Sequence, residues 1–105
     1  MSHLEKQLEL QIKAMRLPEP VREFAAIPGR RFRFDFAWPD RGVLVECQGA
    51  VFVKGGHSTG AGITRDCEKA ALAAVNGYRL IPVTGAHIKS GFAIDCILKA
   101  LGVAA

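Results

Sequence analysis

Residues Arg31–Gly49 read RFRFDFAWPDRGVLVECQG, two strand-like runs joined by a short turn, with a carboxylate in each run. In the first run Phe32, Phe34 and Phe36 alternate with Arg31, Arg33 and Asp35, the period-two pattern of a half-buried strand. Pro39-Asp40-Arg41-Gly42 has the residue types of a turn. The second run, Val43-Leu44-Val45-Glu46-Cys47-Gln48, begins apolar and then presents an acid. A carboxylate in an apolar run has to be paired or hold a metal, because an isolated charge is costly to take out of water. Pairing the runs as a hairpin about the turn brings Asp35 and Glu46 close to opposite each other. Two acids converging from adjacent strands make a site for a hard, oxygen-seeking cation.

Upstream, Ser2 with Glu5 three residues on reads as a capping box. Leu4, Leu8, Ile12 and Met15 then form a helical stripe, which Leu17-Pro18-Glu19-Pro20 ends. Val21–Ile27 is expected as a first strand, with Pro28-Gly29 turning into the second. With Arg31–Trp38 and Val43–Gln48 this predicts a three-stranded meander. Downstream, Lys54–Gly62 holds four glycines without periodicity and reads as a loop. Thr64 is the expected cap of a second helix that ends near Asn76, with Gly77 as its stop. Tyr78–Val83 is a fourth strand, and its Pro82 argues for a sheet edge or a strand end. Ile88–Leu101 is expected as a single third helix carrying Ile94, Ile97, Leu98 and Leu101. The order α-β-β-β-α-β-α predicts an α/β (α+β) domain, a mixed four-stranded sheet flanked by helices.

The 105 residues suit one domain, 1–105, and a half-apolar composition excludes a disordered chain. A net charge of +4 points to a polyanionic partner. Arg30, Arg31 and Arg33 put a basic strip near the acids, and Arg65 and Lys69, spaced i, i+4, share a helix face. That face is either a set of phosphate contacts or simply solvated. Lys54 is a phosphate contact or an exposed loop residue, and His57 beside it is either a solvated loop histidine or a general acid or phosphate ligand. Trp38 reads as core. The three cysteines, Cys47, Cys67 and Cys96, form no CxxC pair, which argues against a zinc ribbon or a disulfide framework and fits a reducing cytoplasm. Cys67 and Cys96 read as small apolar filler in helices. No signal peptide is visible and no apolar run reaches membrane-spanning length, so a cytoplasmic protein without a membrane partner is expected.

This element order, with Asp35 on one strand and Glu46-Cys47-Gln48 on the next, resembles the PD-(D/E)XK nuclease superfamily and its αβββαβ restriction-endonuclease-like core. The run FDFAWP…VLVECQG…H…RDCEK…GYRLIPVT is most similar to small phage and bacterial members close to the very-short-patch repair endonucleases, the VRR-type nucleases and the resolvases. The resemblance implies that Asp35 is the first motif acid and Glu46 the second, holding Mg²⁺ together with the main-chain carbonyl of Cys47. Mn²⁺ is expected to substitute. It also implies that Glu5 corresponds to a glutamate that many relatives carry on the first helix. Gln48 stands where the family usually has lysine, and an amide can orient a water but supplies no charge. Lys54 or His57 then takes part of the lysine role.

The activity expected is metal-dependent endonucleolytic hydrolysis of DNA phosphodiester bonds, with Asp35, Glu46, Gln48 and His57 as catalytic candidates. Arg31, Arg33, Lys54, Arg65 and Lys69 are the candidate DNA contacts. An alternative within the enzymes is a structure-selective, resolvase-type nuclease for branched DNA. Outside them stand a nucleic-acid-binding protein that has lost catalysis and a phage interaction protein on the same scaffold. A homodimer is expected, joined through the third helix and the Tyr78–Val83 strand, because two sites related by a twofold axis cut two strands most simply.

Overall fold

The computed structural model describes residues 2–49 and 60–103. Helix α1, His3–Ala14, starts where Ser2 accepts the Glu5 N–H at 3.2 Å and returns its hydroxyl to the Glu5 carboxylate at 3.1 Å. Leu8 and Ile12 are buried along its inner face with Leu4 packed beside them, whereas Met15 is the C-cap and 47% exposed. The apolar stripe is therefore one residue shorter than expected. The helix ends at Arg16, which takes a left-handed turn at φ 55, before the prolines are reached.

Strands β1 (Val21–Phe24), β2 (Phe34–Trp38) and β3 (Val43–Cys47) form the expected antiparallel meander. A short 3-10 turn at Pro39–Arg41, closed by Gly42 at φ 65, joins β2 to β3. Helix α2, Gly60–Val75, precedes β4 (Arg79–Val83), which pairs parallel to β3. The sheet order is β1-β2-β3-β4, so the proline-bearing strand is an edge, as Pro82 requires. Helix α2 stops at Gly77 as expected: the Gly77 N–H reaches the Ala74 carbonyl and the Tyr78 N–H the Ala73 carbonyl, the paired bonds of a Schellman ending. Its first turn begins by Gly60, so Thr64 lies inside the helix and does not cap it.

The expected third helix is two helices. Thr84 and His87 cap α3, Gly85–Ser90, and Gly91 at φ 89 breaks it from α4, Phe92–Ala100. A left-handed glycine cannot continue a right-handed helix, which is why the periodic run does not propagate through it.

Two apolar clusters sandwich the sheet. Leu8, Ile12, Ile88, Ala93 and Ile97 from α1, α3 and α4 cover Phe36, Trp38, Val43, Val45 and Val83. On the other face Ala73 of α2 packs with Phe34, Ala37 and Leu44. Burying side chains the size of Phe34, Phe36 and Trp38 stabilises the fold by about 2–3 kcal/mol each. Trp38 is core, and its indole N–H donates to the Pro18 carbonyl at 2.8 Å.

The phenylalanine alternation does not hold along the whole run. Arg31–Arg33 lie outside β2, and Phe32 and Phe34 join the α2 cluster while Phe36 joins the other. The facing alternation slips at Asp35. Opposite it the β1 ladder passes from the Arg22–Phe36 pair to the Phe24–Phe34 pair around Glu23, which is left-handed at φ 52. The slip turns Asp35 out of the regular pleat.

Candidate acidic site

Extending the β2–β3 register by one residue beyond the Phe36–Val45 pair sets Asp35 against Glu46. The two acids cross-link the strand ends. One Asp35 oxygen accepts the Cys47 N–H at 2.7 Å, and one Glu46 oxygen accepts the Asp35 N–H at 3.3 Å. Each carboxylate thus satisfies a main-chain donor that the frayed ladder leaves over.

Glu5 arrives from α1 and Glu23 from β1. Ligand oxygens of Glu5, Glu23 and Asp35 all lie within 4.8 Å of one another. Glu46 is outside that triplet, with its second oxygen taken by the Lys69 ammonium of α2. Arg22 holds the other flank. It donates to Glu5 at 2.5 Å, to Glu9 at 3.3 Å and to the Asp35 carbonyl at 2.8 Å, and lies 4.1 Å over the Phe36 ring.

Burial pushes the Asp35 carboxyl above its ordinary range; the Cys47 N–H opposes this, and the charges on Glu5 and Glu23 add to it. Burial likewise raises Glu46, against the hydrogen bond from Lys69 and with the help of the Asp35 charge. The half-buried Cys47 thiol is pushed up to about 12, first by burial and then by the neighbouring acids, so it stays protonated and inert.

These groups open on a cleft of about 830 Å³ that runs from Glu5 past Asp35 and Glu46 to Gln48, with Leu4 and Gly85 in its wall. Gly85 packs closely on α1, since a Cβ there would sit 3.0 Å from a Leu4 methyl and the leucine would have to shift. Gln48 lines the cleft while its main-chain N–H is fixed to the Val83 carbonyl at 2.7 Å. The donor set is all carboxylate and amide oxygen with a protonated thiol, which suits a hard divalent cation and not zinc.

The basic residues divide. Arg31, Arg33 and Arg65 are exposed. Arg33 donates to the Glu23 carbonyl at 3.2 Å. Arg65 belongs to a separate cleft of about 470 Å³ with Arg30 and Phe32, where Arg30 lies 4.7 Å over the Phe32 ring and pairs with Glu68. Lys69 does not share a solvated face with Arg65; it turns inward onto Glu46. Cys67 is exposed and fills no core position, whereas Cys96 is half-buried. Lys54 and His57 lie outside the described residues.

Sequence reasoning missed Glu23 and the inward turn of Lys69. A hairpin centred on Gly29 pairs residue 23 with residue 35, so the first was within reach of counting. The second could be read from Ala73 one helical turn on, which is buried and marks the inner face of α2. No protein-family model, no curated protein and no solved structure matches the chain.

Proposed function

We propose that this chain is a metal-dependent endonuclease of the PD-(D/E)XK kind that hydrolyses DNA phosphodiester bonds. The reading rests above all on the Asp35–Glu46 pair set opposite each other at the end of the sheet, with Glu5 in the same cleft and Glu23 within 4.8 Å of Glu5 and Asp35. Asp35, Glu46, Glu5 and the Cys47 carbonyl are the groups that would hold Mg²⁺ or Mn²⁺, and Glu23 joins them from β1. Such an ion supplies a water made acidic and a counter-charge for the transferring phosphate. Gln48 orients the attacking water from the cleft wall. Arg31, Arg33 and Arg65 carry the backbone phosphates outside the cleft, and Lys54 is a further phosphate contact.

A second reading keeps the scaffold and drops the chemistry, leaving a nucleic-acid-binding or phage interaction protein. The Lys69–Glu46 ion pair favours it, since an acid already neutralised by lysine calls less for a metal. Incubating the protein with linear, nicked, flapped and four-way DNA, with and without Mg²⁺, separates the two. Cleavage only with Mg²⁺ is expected for the enzyme; binding without cleavage on every substrate would assign the second reading.

We further propose a homodimer through α4 and the β4 edge, working in the cytoplasm. Phe92 is exposed on α4, and Pro82 leaves the β4 edge one donor short, so the contact would be made by side chains and not by extending the sheet. Light scattering at micromolar concentration should report twice the monomer mass.

A further inference from the structure

The second cleft, of about 470 Å³, lies between the chain leading into β2 and the first turns of α2, with Arg30, Phe32, Thr64, Arg65 and Glu68 in its wall. Its size falls in the range of about 300–1,000 Å³ found for sites that hold a small ligand. It stands close to the acids. Phe32 precedes Asp35 by three residues, a span of at most about 10–11 Å of chain. Arg65 precedes by one helical turn the Lys69 that holds Glu46. A strand with one phosphate at the acids therefore has its neighbouring nucleotides within reach of this cleft.

The wall offers two kinds of contact. The Arg30 guanidinium lies 4.7 Å over the Phe32 ring and pairs with Glu68, yet 41% of its side chain is exposed. A planar guanidinium backed by an aromatic ring is a platform on which a nucleobase stacks. Glu68 neutralises Arg30. Arg65 has no ion-pair partner among the described residues, and the Thr64 hydroxyl is its neighbour, so the wall keeps one positive charge for a phosphate. Within a duplex each base face is covered by the next base pair, so a platform of this kind is open only to an unpaired nucleotide.

We infer that this cleft is a subsite for an unpaired nucleotide next to the cut: Arg65 and Thr64 take its phosphate, and its base stacks on Arg30, which Phe32 backs and Glu68 holds in place. The inference rests on the nuclease reading for its ligand, a DNA strand, and adds to that reading a preference for a strand that is single beside the acids.

Arg30→Lys and Arg65→Gln test it, both at exposed positions. Lysine keeps the charge and the pairing with Glu68 but has no plane to stack on. Affinity for a short fluorescent oligothymidylate and for a blunt duplex is measured across a salt series in EDTA, so that nothing is cut. Arg30→Lys should bind the oligothymidylate about fivefold or more weakly, with the salt slope unchanged and the duplex affinity within twofold of the parent. Arg65→Gln should flatten the single-strand slope by about 0.7, one phosphate contact. Arg30→Lys equal to the parent on the oligothymidylate, or equally weakened on the duplex, overturns the subsite, as does an unchanged slope in Arg65→Gln or a parent that binds no single strand. None of these results touches the nuclease reading, which stands or falls by Mg²⁺-dependent cleavage. The expected binding pattern in a parent that cuts no DNA with Mg²⁺ supports the subsite and overturns the nuclease reading.

Discussion

Arg22 and Lys69 flank the same pair of strand ends and are built differently. Arg22 bridges: its planar fork meets two glutamates of α1 and a main-chain carbonyl of β2, and its face lies on Phe36. It joins three elements and its charge is divided among them. Lys69 is a point charge on one acid and one carbonyl. The contrast follows from the side chains themselves, a fixed fork that spans several acceptors against a compact ammonium that concentrates charge. One flank is therefore a seam that joins three elements and the other a pairing at a single acid.

The largest effect expected of any change is at Glu46, the acid that Lys69 holds. Glu46→Ala should reduce Mg²⁺-dependent cleavage to background while circular dichroism stays unchanged, since Lys69 keeps its bond to the Arg33 carbonyl. Retained cleavage would remove Glu46 from the site. Next, Gln48→Ala should keep Mn²⁺ binding and lose roughly 10²-fold in single-turnover rate, the scale expected for a misplaced reacting group. A rate equal to the parent would make Gln48 a strand-end residue.

Breaking the seam should act on stability. Arg22→Met should lower unfolding free energy by about 1–3 kcal/mol, the scale of hydrogen bonds to charged groups, read from the denaturant midpoint. Lys69→Gln should cost clearly less. Equal losses would abolish the distinction between seam and site.

The smallest effect is in pH. Asp35 and Glu46 both titrate above their ordinary values in the fold. The folded state then binds more protons than the unfolded chain between the ordinary carboxylate range and the raised folded values. Stability is therefore greatest below that window and falls as pH rises through it. Without divalent cation, the protein should melt at a higher temperature in mild acid than at neutral pH, and Asp35→Asn should flatten that dependence. A melting temperature that rises with pH over this range would contradict the burial of the acids.

Much of this was legible because it follows from short-range pattern. The turn at Pro39–Gly42 fixes the β2–β3 register, and that register alone sets Asp35 opposite Glu46. Pro82 marked the edge strand because it lacks a donor for a second neighbour. What escaped depends on backbone states that composition does not announce. Glu23 takes a left-handed conformation without being glycine, where the pleat slips and Phe34 and Phe36 go to different faces, and its carboxylate comes within 4.8 Å of those of Glu5 and Asp35. The break at Gly91 was hidden because the apolar period continues across it. Lys69 escaped for another reason. Its i, i+4 spacing to Arg65 suggested one shared face, but a long side chain can reach back across its helix, and only the tertiary position of Glu46 decides that it does.

The central claim is that the Asp35–Glu46 end of the sheet holds the cation with which DNA is cut. Single-turnover cleavage of four-way and flapped DNA by the parent and by Asp35→Ala, at matched concentration with and without Mg²⁺, tests it most directly. The account predicts Mg²⁺-dependent product from the parent and none above background from a folded Asp35→Ala. Equal cleavage by the two proteins, or cleavage by the parent that is indifferent to Mg²⁺, would contradict it.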